Sequence, residues 1–273
     1  MQALIVEFEP VWGYSVKRQM ISKAQFSLSI PPPTSLIGAI TYGLGKLLSE
    51  GEIKVDKNQK IRSLAYYFFD IFLFASAFIT DFGMEWTDIN RYQILQFQRP
   101  ERRYEEEYRF GAVPAGKIYV NGKIIAVYVI NEENAIKKIG TDYEKKLLMS
   151  SYMINRIGNK ESIVSVNKAE FARLEYSENK TFCTKFYHPL KAIKSVSLCR
   201  EKNEFMMSFF KEYFWNESGY EWGGDVKFEE YLIPADRAPL RFRWINITAN
   251  DDYKVYYIRS NVKEAEGQGI AVR

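Results

Sequence analysis

Three consecutive prolines at residues 31–33 constrain the fold more than any other feature of this sequence. Proline fixes φ and lacks an amide hydrogen, so these residues cannot lie inside a helix, although a helix can begin directly after them. The apolar residues that follow recur at helical spacing as far as Gly51, and they are Leu36, Ile37, Ile40, Leu44, Leu47 and Leu48. The pattern predicts an amphipathic helix with Thr34 or Ser35 as its N-cap.

Strand and helix patterns follow one another through the first 178 residues. The strand patterns cover residues 2–9, 71–80 and 162–166, and the helix patterns cover residues 58–69 and 143–157. Residues 86–114 have no helical period and predict an extended hairpin. Asn121-Gly122 separates two apolar runs and predicts a second, tight hairpin, because both turn positions of such a hairpin need positive φ.

Taken in chain order, the regular elements are strand, helix, strand, strand, helix and strand. This order predicts an α+β fold with the split-βαβ, or ferredoxin-like, topology that the RNA recognition motif also has. We place this domain at residues 1–178. Residues 179–273 predict a smaller, β-rich domain, with an amphipathic patch at 204–215 and late strands near 241–247 and 254–259.

Several enzyme classes are excluded by the residues that the chain lacks. His188 is the only histidine, so neither a histidine acid–base pair nor a set of imidazole metal ligands is available. The P-loop, dinucleotide-binding, zinc-protease and serine-hydrolase motifs are absent. Adjacent acidic pairs such as Asp251-Asp252 are better explained as solvated surface than as a metal site. We therefore expect no metal and no cofactor.

The cysteines and the apolar segments indicate the compartment. Cys183 and Cys199 are too few for a disulfide scaffold and lie in no CxxC motif, which favours a reducing environment. The chain opens on a strand pattern rather than on a signal peptide. Its most apolar stretch, residues 64–79, is interrupted by Asp70 and is shorter than the ~20 residues that span a bilayer. We expect a cytoplasmic protein that has no membrane partner.

Aromatic rings and cations occur together in two segments, a combination typical of single-stranded RNA binding. Aromatic residues make up 16% of the chain and the net charge is +4, which permits a polyanionic partner. Lysine and arginine neutralise phosphates, while aromatic rings stack on unpaired bases. The candidate RNA-binding residues of these segments are Trp12, Tyr14, Lys17, Arg18 and Lys23, together with Arg99, Arg102, Arg103 and Arg109.

A third candidate is the stretch 180–200, which has no acidic residue and contributes Lys185, Lys191 and Lys194. Each of the three clusters has an alternative explanation as a solvated face. In the 86–114 segment, four glutamates at 101 and 105–107 cancel most of the arginine charge, which favours a surface that faces a protein.

His188 has two explanations. With Tyr187 and Lys185 nearby, it has the groups for metal-independent RNA cleavage, in which a base activates the 2′-hydroxyl and a cation stabilises the phosphorane. A lone histidine in an aromatic, basic segment is more often structural or a phosphate contact, and we favour that explanation.

Three motifs of this sequence resemble a known family. They are WGY at 12–14, IPPPTSLIGAITYGLGKLL at 30–48 and RIGNKESIVSV at 156–166. Together they resemble the fifth family of CRISPR-associated (Cas) proteins, RAMP-superfamily subunits of type I Cascade complexes. The resemblance covers the N-terminal domain best, and the length of the chain is similar to that of the archaeal type I-A branch.

The resemblance implies a ferredoxin-like RAMP domain with a long β-hairpin thumb, here at about 86–114, and a smaller C-terminal β domain. It also implies that the chain grips the 5′ handle of the crRNA and contacts backbone subunits of the seventh Cas family and other Cascade subunits in antiviral defence. The family's type I-C branch is an endoribonuclease with adjacent Lys and His in its N-terminal domain. Here His188 follows Tyr187 and lies beyond that domain, so no catalytic residue is carried over.

We therefore predict a non-catalytic, RNA-binding assembly subunit. The alternatives are a metal-independent endoribonuclease that processes repeat RNA with His188 and Tyr187, and a pure protein-interaction subunit whose basic residues are incidental.

Overall fold

The computed structural model describes residues 1–18, 26–93, 101, 104–105 and 111–273. This part of the chain is a strand-rich mixture of α and β structure with four α-helices. The helices are α1 (Pro33–Leu47), α2 (Leu64–Phe68), α3 (Glu132–Ile139) and α4 (Tyr143–Tyr152). Among the described residues, no helix is long and apolar enough to cross a membrane.

In the described part of the chain, the strands form two large and three small sheets. Those of the first half are β1 (Gln2–Pro10), β2 (Gly13–Tyr14), β3 (Ile53–Val55), β4 (Ile61–Ser63), β5 (Phe72–Ile79), β6 (Phe82–Gln93), β7 (Gly111–Asn121), β8 (Ile124–Ile130) and β9 (Val164–Ser177). Those of the second half are β10 (Thr181–Thr184), β11 (His188–Pro189), β12 (Ile193–Leu198), β13 (Phe210–Trp215), β14 (Phe228–Ile233), β15 (Ala235–Arg237), β16 (Leu240–Phe242), β17 (Ile245–Ala249), β18 (Lys254–Arg259) and β19 (Gly269–Val272).

The core is built on a six-stranded antiparallel sheet with the order β19-β18-β9-β1-β8-β5. Strand β1 lies inside this sheet, and its residues 3–6 are fully buried because both faces of the sheet are covered. On one face, the Tyr128 hydroxyl of β8 donates to the Leu36 carbonyl of α1. On the other, Phe74, Ser76 and Phe78 of β5 contact His188, Tyr187 and Phe186.

The N-terminal elements follow the predicted order. Without β2–β4, α2 and the β6–β7 pair, which lie outside the large sheet, the order in the chain is β1, α1, β5, β8, the helix pair α3–α4 and β9. In the sheet the four strands lie as β9-β1-β8-β5. Strand β18 pairs with β9 and has the bounds of the late strand that the sequence predicted, so the C-terminal segment extends this sheet. The division of the chain at residues 178 and 179 stays a prediction.

Helix α1 begins earlier than its sequence pattern indicated. Pro32 occupies the N-cap position and Pro33 is the first helical residue, whereas Thr34 and Ser35 were the predicted caps. Proline is favoured at the first helical position because its missing amide hydrogen has no acceptor there in any helix. The helix therefore has no side-chain cap.

The prediction of a tight hairpin at Asn121-Gly122 is wrong. Gly122 has a φ of +87°, as such a turn requires, but the flanking strands β7 and β8 belong to different sheets. β7 pairs with β6, while β8 pairs with β5 and β1. Asn121-Gly122 is instead a bend in a long ribbon, where the amide of Thr80 donates to the Lys123 carbonyl across the break. The ribbon continues beyond the bend as the antiparallel pair β6–β7, which we call the hairpin.

Two helix predictions change in extent. The helix predicted over 58–69 is confined to Leu64–Phe68, because residues 61–63 pair with β3 as a strand. The helix predicted over 143–157 ends at Tyr152. Helix α3 was not predicted, although Asn131 caps it by accepting a hydrogen bond from the Asn134 amide.

The two cysteines form a disulfide, which the sequence analysis did not predict. Cys183 lies on β10 and Cys199 follows the end of β12, and both strands pair with β17, which brings the two Cα atoms to 5.8 Å. Disulfides are rare in cytosolic proteins of mesophiles but common in intracellular proteins of hyperthermophiles. The bond joins two edges of the small C-terminal sheet β10-β17-β12.

We predict opposite stability effects for one substitution at two sites of α1. At Gly43, a Cβ atom would lie 2.7 Å from the Ser150 carbonyl oxygen of α4, whereas at Gly38 a Cβ atom meets nothing within 4 Å. Gly43→Ala should lower the free energy of unfolding by about 1–3 kcal/mol, because the two helices must separate. Gly38→Ala should raise it by about 0.5–1 kcal/mol, because alanine is the better helix former. Urea unfolding of both variants checks the pair, and a loss of stability in Gly38→Ala would contradict it.

Candidate nucleic-acid interface

A narrow ribbon of chain follows β1 and lies against the root of the hairpin. We call it the N-terminal ribbon (residues 11–18 and 26–30). Its strand β2 pairs with β7, and the Leu28 amide donates to the Val16 carbonyl at 2.8 Å. Glycine is required where the two backbones meet, since a Cβ at Gly13 would overlap with the carbonyl of Ile118 and one at Gly116 with the amide of Ser27.

The turn at 156–162 contacts the same ribbon, although it lies far away in the sequence. The Asn159 amide donates to the Ser15 carbonyl at 3.0 Å, and the Ser15 amide donates to the Ser162 hydroxyl at 2.9 Å. Gly158 has a φ of +93°, and a Cβ there would lie 2.5 Å from the Ser15 carbonyl oxygen. Two of the motifs singled out from the sequence therefore meet at the root of the hairpin.

Lys117 of β7 lies at the centre of this junction. Its ammonium group lies 5.3 Å from the ring centroid of Trp12 and 5.4 Å from that of Trp86. It also pairs with Asp88 at 2.7 Å and with Glu161 at 3.3 Å. The hydrogen bond to Asp88 raises the pKa of Lys117 above its ordinary value, so the side chain stays charged between the two indoles.

The two tryptophans differ in what they leave accessible. Trp12 is half-buried, and its Nε1 donates to the Glu161 carbonyl at 2.8 Å. Trp86 is 46% exposed, and cross-strand pairing places it opposite Lys117. Lys117 and the pairing of β6 with β7 thus hold the partly exposed Trp86 indole at the surface. An aromatic ring held in this way can stack on an unpaired base. Neither Trp86 nor Lys117 was among the residues selected from the sequence.

The predicted residues of the first segment separate into different roles. Lys17 is exposed and pairs with Ser27 across the N-terminal ribbon. Tyr14 is fully buried, and its hydroxyl donates to the Ser29 carbonyl, so a base cannot stack on it. Burial raises the pKa of Tyr14 well above the usual value. This corrects its selection as a stacking residue, and Lys23 lies outside the described residues.

Arg18 is engaged within the protein. Its guanidinium pairs at 2.8 Å with Glu212, a carboxylate that is 3% exposed and also accepts from the Ser29 amide at 3.0 Å. Burial raises the pKa of Glu212, although Arg18 and Ser29 counteract this effect. Removal of Arg18 would leave a buried carboxylate without its cation, so a structural role accounts for this residue.

The four predicted arginines of the 86–114 segment, Arg99, Arg102, Arg103 and Arg109, lie outside the described residues. The extended hairpin itself is present, since β6 and β7 pair from Phe82 and Asn121 as far as Gln93 and Gly111.

The acid-free stretch 180–200 does not present its lysines as one row. Lys185 lies over the Trp244 ring at 5.4 Å, and burial lowers its pKa. Lys191 pairs with Glu229 at 2.5 Å, and Lys194 is exposed. A stretch that has no acidic residue of its own can therefore still form ion pairs with acidic residues of other strands, as Lys191 does with Glu229. Of the three predicted lysines, Lys194 remains the one that is exposed without an ion pair in the described part of the chain.

His188 is a core residue. It is fully buried between Phe74 and Phe182, with ring centroids at 5.0 and 5.4 Å. Its Nδ1 lies 3.0 Å from the Phe186 carbonyl, and its Nε2 accepts from the Ala271 amide at 3.2 Å. Burial lowers the pKa of His188 to about 4. Tyr187 is also fully buried and donates to the Pro31 carbonyl. Neither side chain can reach a bound RNA in this structure.

Within the described ranges, no group of three or more His, Cys, Asp or Glu side chains is arranged to hold a metal ion.

Comparisons with known proteins agree with the resemblance of the motifs. No protein-family profile matches the chain. The chain is 33% identical over 247 residues to "CRISPR system aCascade subunit Cas5 1" of Saccharolobus solfataricus, which covers 89% of this chain and 92% of that protein. It is 32% identical, over the same length, to "CRISPR-associated protein Cas5 3" of that organism. The crystal structure of a CRISPR protein from Archaeoglobus fulgidus has a similar fold, with a TM-score of 0.57, 19% identity, and coverage of 100% of this chain and 99% of that one.

We predict that His188 makes the stability of the protein depend on pH. The unfolded chain binds a proton at His188 near pH 6.5, whereas the folded chain does so only near pH 4. As the pH falls from 7 to 5, the free energy of unfolding should therefore decrease by roughly 2 kcal/mol through this residue alone. Urea unfolding of the wild type and of His188→Gln at several pH values measures the effect, since all other groups are shared. Parallel stability curves for the two proteins would contradict it.

Proposed function

Because this chain belongs to the Cas5 family of CRISPR-associated proteins, we propose that it is a non-catalytic Cascade subunit that holds the 5′ handle of the crRNA. The archaeal relatives, one of which is named as an aCascade subunit, support placement in the type I-A branch.

The observation that carries the RNA-binding proposal is the Trp86–Lys117–Trp12 stack at the root of the hairpin. In this stack the Trp86 indole is partly exposed and is held in place by Lys117. The exposed Lys17 lies on the N-terminal ribbon, which packs against β7, the strand that carries Lys117. Splayed bases that stack on aromatic rings, with cations at the phosphates, are the usual mode of single-stranded RNA recognition. The predicted cations Lys23, Arg99, Arg102, Arg103 and Arg109 belong to the same proposal.

The hairpin is the proposed thumb, and it supports the assignment of partners. Its strands expose Met84, Ile89 and Tyr119, which are 54%, 48% and 45% accessible. Exposed apolar side chains on a projecting ribbon favour contact with another protein. We propose that the hairpin docks on a backbone subunit of the seventh Cas family, within a cytoplasmic complex that acts in antiviral defence.

The sheet order supports a ferredoxin-like core for the proposed RAMP domain at 1–178. Numbered along the chain, β1, β5, β8 and β9 are strands one to four, and their order in the sheet is four, one, three, two, with helices after the first and third. This is the order expected of two interleaved βαβ units.

The burial of His188 and Tyr187 supports the non-catalytic reading over the alternative of a metal-independent endoribonuclease. A general base must come within hydrogen-bond distance of the proton that it removes. Both nitrogens of this imidazole are already engaged by the backbone.

The proposed function is tested by co-expression with the backbone subunit and a CRISPR array, followed by ultraviolet crosslinking of the purified complex. We expect crosslinks from this chain to map to the first few nucleotides of the guide. Crosslinks confined to the opposite end of the guide, or a complex that forms without this chain touching RNA, would overturn the proposal.

Substitution of Trp86 should weaken guide binding without unfolding the protein. Loss of one base stack corresponds to about 1–3 kcal/mol, so Trp86→Ala should weaken RNA binding by roughly 5- to 150-fold, while Trp86→Phe should retain most of the affinity. The readout is a titration of the chain–backbone complex with labelled guide RNA. Tyr176→Ala is the matched control, because this ring is 60% exposed on β9. Equal effects at Trp86 and Tyr176 would count against a specific stack.

Lys17 should contribute to the salt dependence of the same titration. Lys17→Ala should make the slope of log affinity against log salt shallower by about 0.7, the value for one lost contact to a single strand. The control is Lys145→Ala, which removes an exposed lysine of α4. An unchanged slope for Lys17→Ala would remove this residue from the interface.

A further inference from the structure

A cleft of about 710 Å³ lies on the side of α1 that faces the β3–β4 hairpin. Its walls are α1, the β3–β4 hairpin, residues 154–158 and the loop 219–226. Because residues from two of the sequence motifs line it, Gly38 on α1 and Arg156 at the turn before β9, the cleft joins the regions that the resemblance singled out. We call it the Trp222 cleft, after the indole on its loop.

Gly38 is a glycine that packing inside the protein does not explain. Helix α1 contains two other glycines, and each lies where a side chain cannot fit: a Cβ at Gly43 would be 2.7 Å from the Ser150 carbonyl oxygen, and one at Gly45 would be 2.5 Å from Leu64 Cδ2. A Cβ at Gly38 meets nothing within 4 Å, and Gly38 lines the cleft. Glycine weakens a helix interior, so a glycine that no internal contact requires calls for another explanation. At Gly38 the missing side chain leaves the backbone of α1 accessible to a bound molecule.

Trp222 is held in an exposed position by its neighbours. The indole is 82% accessible, which is unusual for so large an apolar side chain. The Trp222 amide donates to the Ile61 carbonyl at 2.8 Å, and the adjacent Glu221 pairs with Arg62 at 2.8 Å and with Lys60 at 2.7 Å. The loop is therefore anchored on β4 at Glu221 and at the Trp222 backbone, while the indole itself is mostly exposed.

The charges around the cleft leave one cation free. Glu221 is engaged by Arg62 and Lys60, Glu50 pairs with Lys54 at 2.8 Å, and Glu52 lies 3.9 Å from Lys46. The guanidinium of Arg156 is exposed and has no ion-pair partner among the residues that the structure describes. An open indole, an unpaired guanidinium and a bare stretch of helix backbone together suit a nucleotide better than an apolar peptide, because they offer a stacking face and an anion contact.

We infer that the Trp222 cleft holds an unpaired nucleotide of the guide RNA, with its base on the Trp222 indole, its phosphate at Arg156 and its sugar against α1 at Gly38. This assignment rests on the proposed function, and it adds a second RNA contact that is separate from the Trp86–Lys117–Trp12 stack.

The experiment uses the complex of this chain with the backbone subunit, titrated with labelled guide RNA transcribed from the array. Gly38→Ala should weaken guide binding at the same time as it raises the unfolding temperature, since the added methyl group stabilises α1 and fills the cleft. Trp222→Ala should weaken binding by roughly 5- to 150-fold, and Trp222→Phe should restore most of it. Phe205→Ala is the matched control, because that ring is 87% exposed and does not line the cleft.

Ultraviolet crosslinking of the same complex separates failure of this inference from failure of the proposed function. A nucleotide adduct on the peptide that carries Trp222 is the expected result. Guide crosslinks elsewhere on the chain, with unchanged binding in Gly38→Ala and Trp222→Ala, would overturn the inference and leave the proposed function standing. Absence of any guide crosslink to this chain would overturn both. Loss of the backbone subunit from nuclease-treated complexes of the two variants would assign the cleft to a protein partner and overturn the inference.

Discussion

The antiparallel pairing of β1 with β8 on one side and β9 on the other is the interaction on which the rest of the structure depends. It places the apolar residues 3–6 of β1 where both faces of the sheet are covered, and burial of such surface is the main driving force of folding. It also fixes where three chain segments leave the sheet. The ribbon that follows β1, the turn that precedes β9 and the strand that precedes β8 all emerge at one end, so the root of the hairpin forms where they meet.

The sequence predicted those elements whose signals are local. The proline run and the apolar spacing located α1, and residues 254–259 had the composition of a strand and form one. Asn121-Gly122 shows the limit of local signals, because its backbone conformation was as expected while its strands pair with other partners. The choice of partner depends on contacts far away in sequence. Lys117 and Trp86 were missed for the same reason, since their pairing appears only once β6 and β7 are in register.

The candidate site also shows why residue type alone is a poor guide to exposure. Tyr14 and Trp12 belong to one aromatic motif, yet Tyr14 is fully buried, whereas Trp12 is half-buried and contacts the ammonium group of Lys117. Residues two apart on a regular strand lie on the same face, but Trp12 precedes strand β2, and Gly13, with a φ of +152°, separates it from Tyr14, so the two rings enter different environments. The same holds for His188, whose basic neighbourhood suggested chemistry but whose ring fills space between two phenylalanines.

The balance of charge limits how such a protein can hold RNA. The chain has 38 basic and 34 acidic residues, and at the root of the hairpin the central cation, Lys117, is already neutralised by Asp88 and Glu161. Lys117 itself therefore adds little counterion release to the proposed binding of RNA. At this point of the surface, the proposed contact with RNA depends on stacking against the Trp86 indole, which Lys117 supports. Under the proposed function, we expect the chain to bind RNA more tightly within its assembly than alone, because neighbouring subunits then enclose the strand.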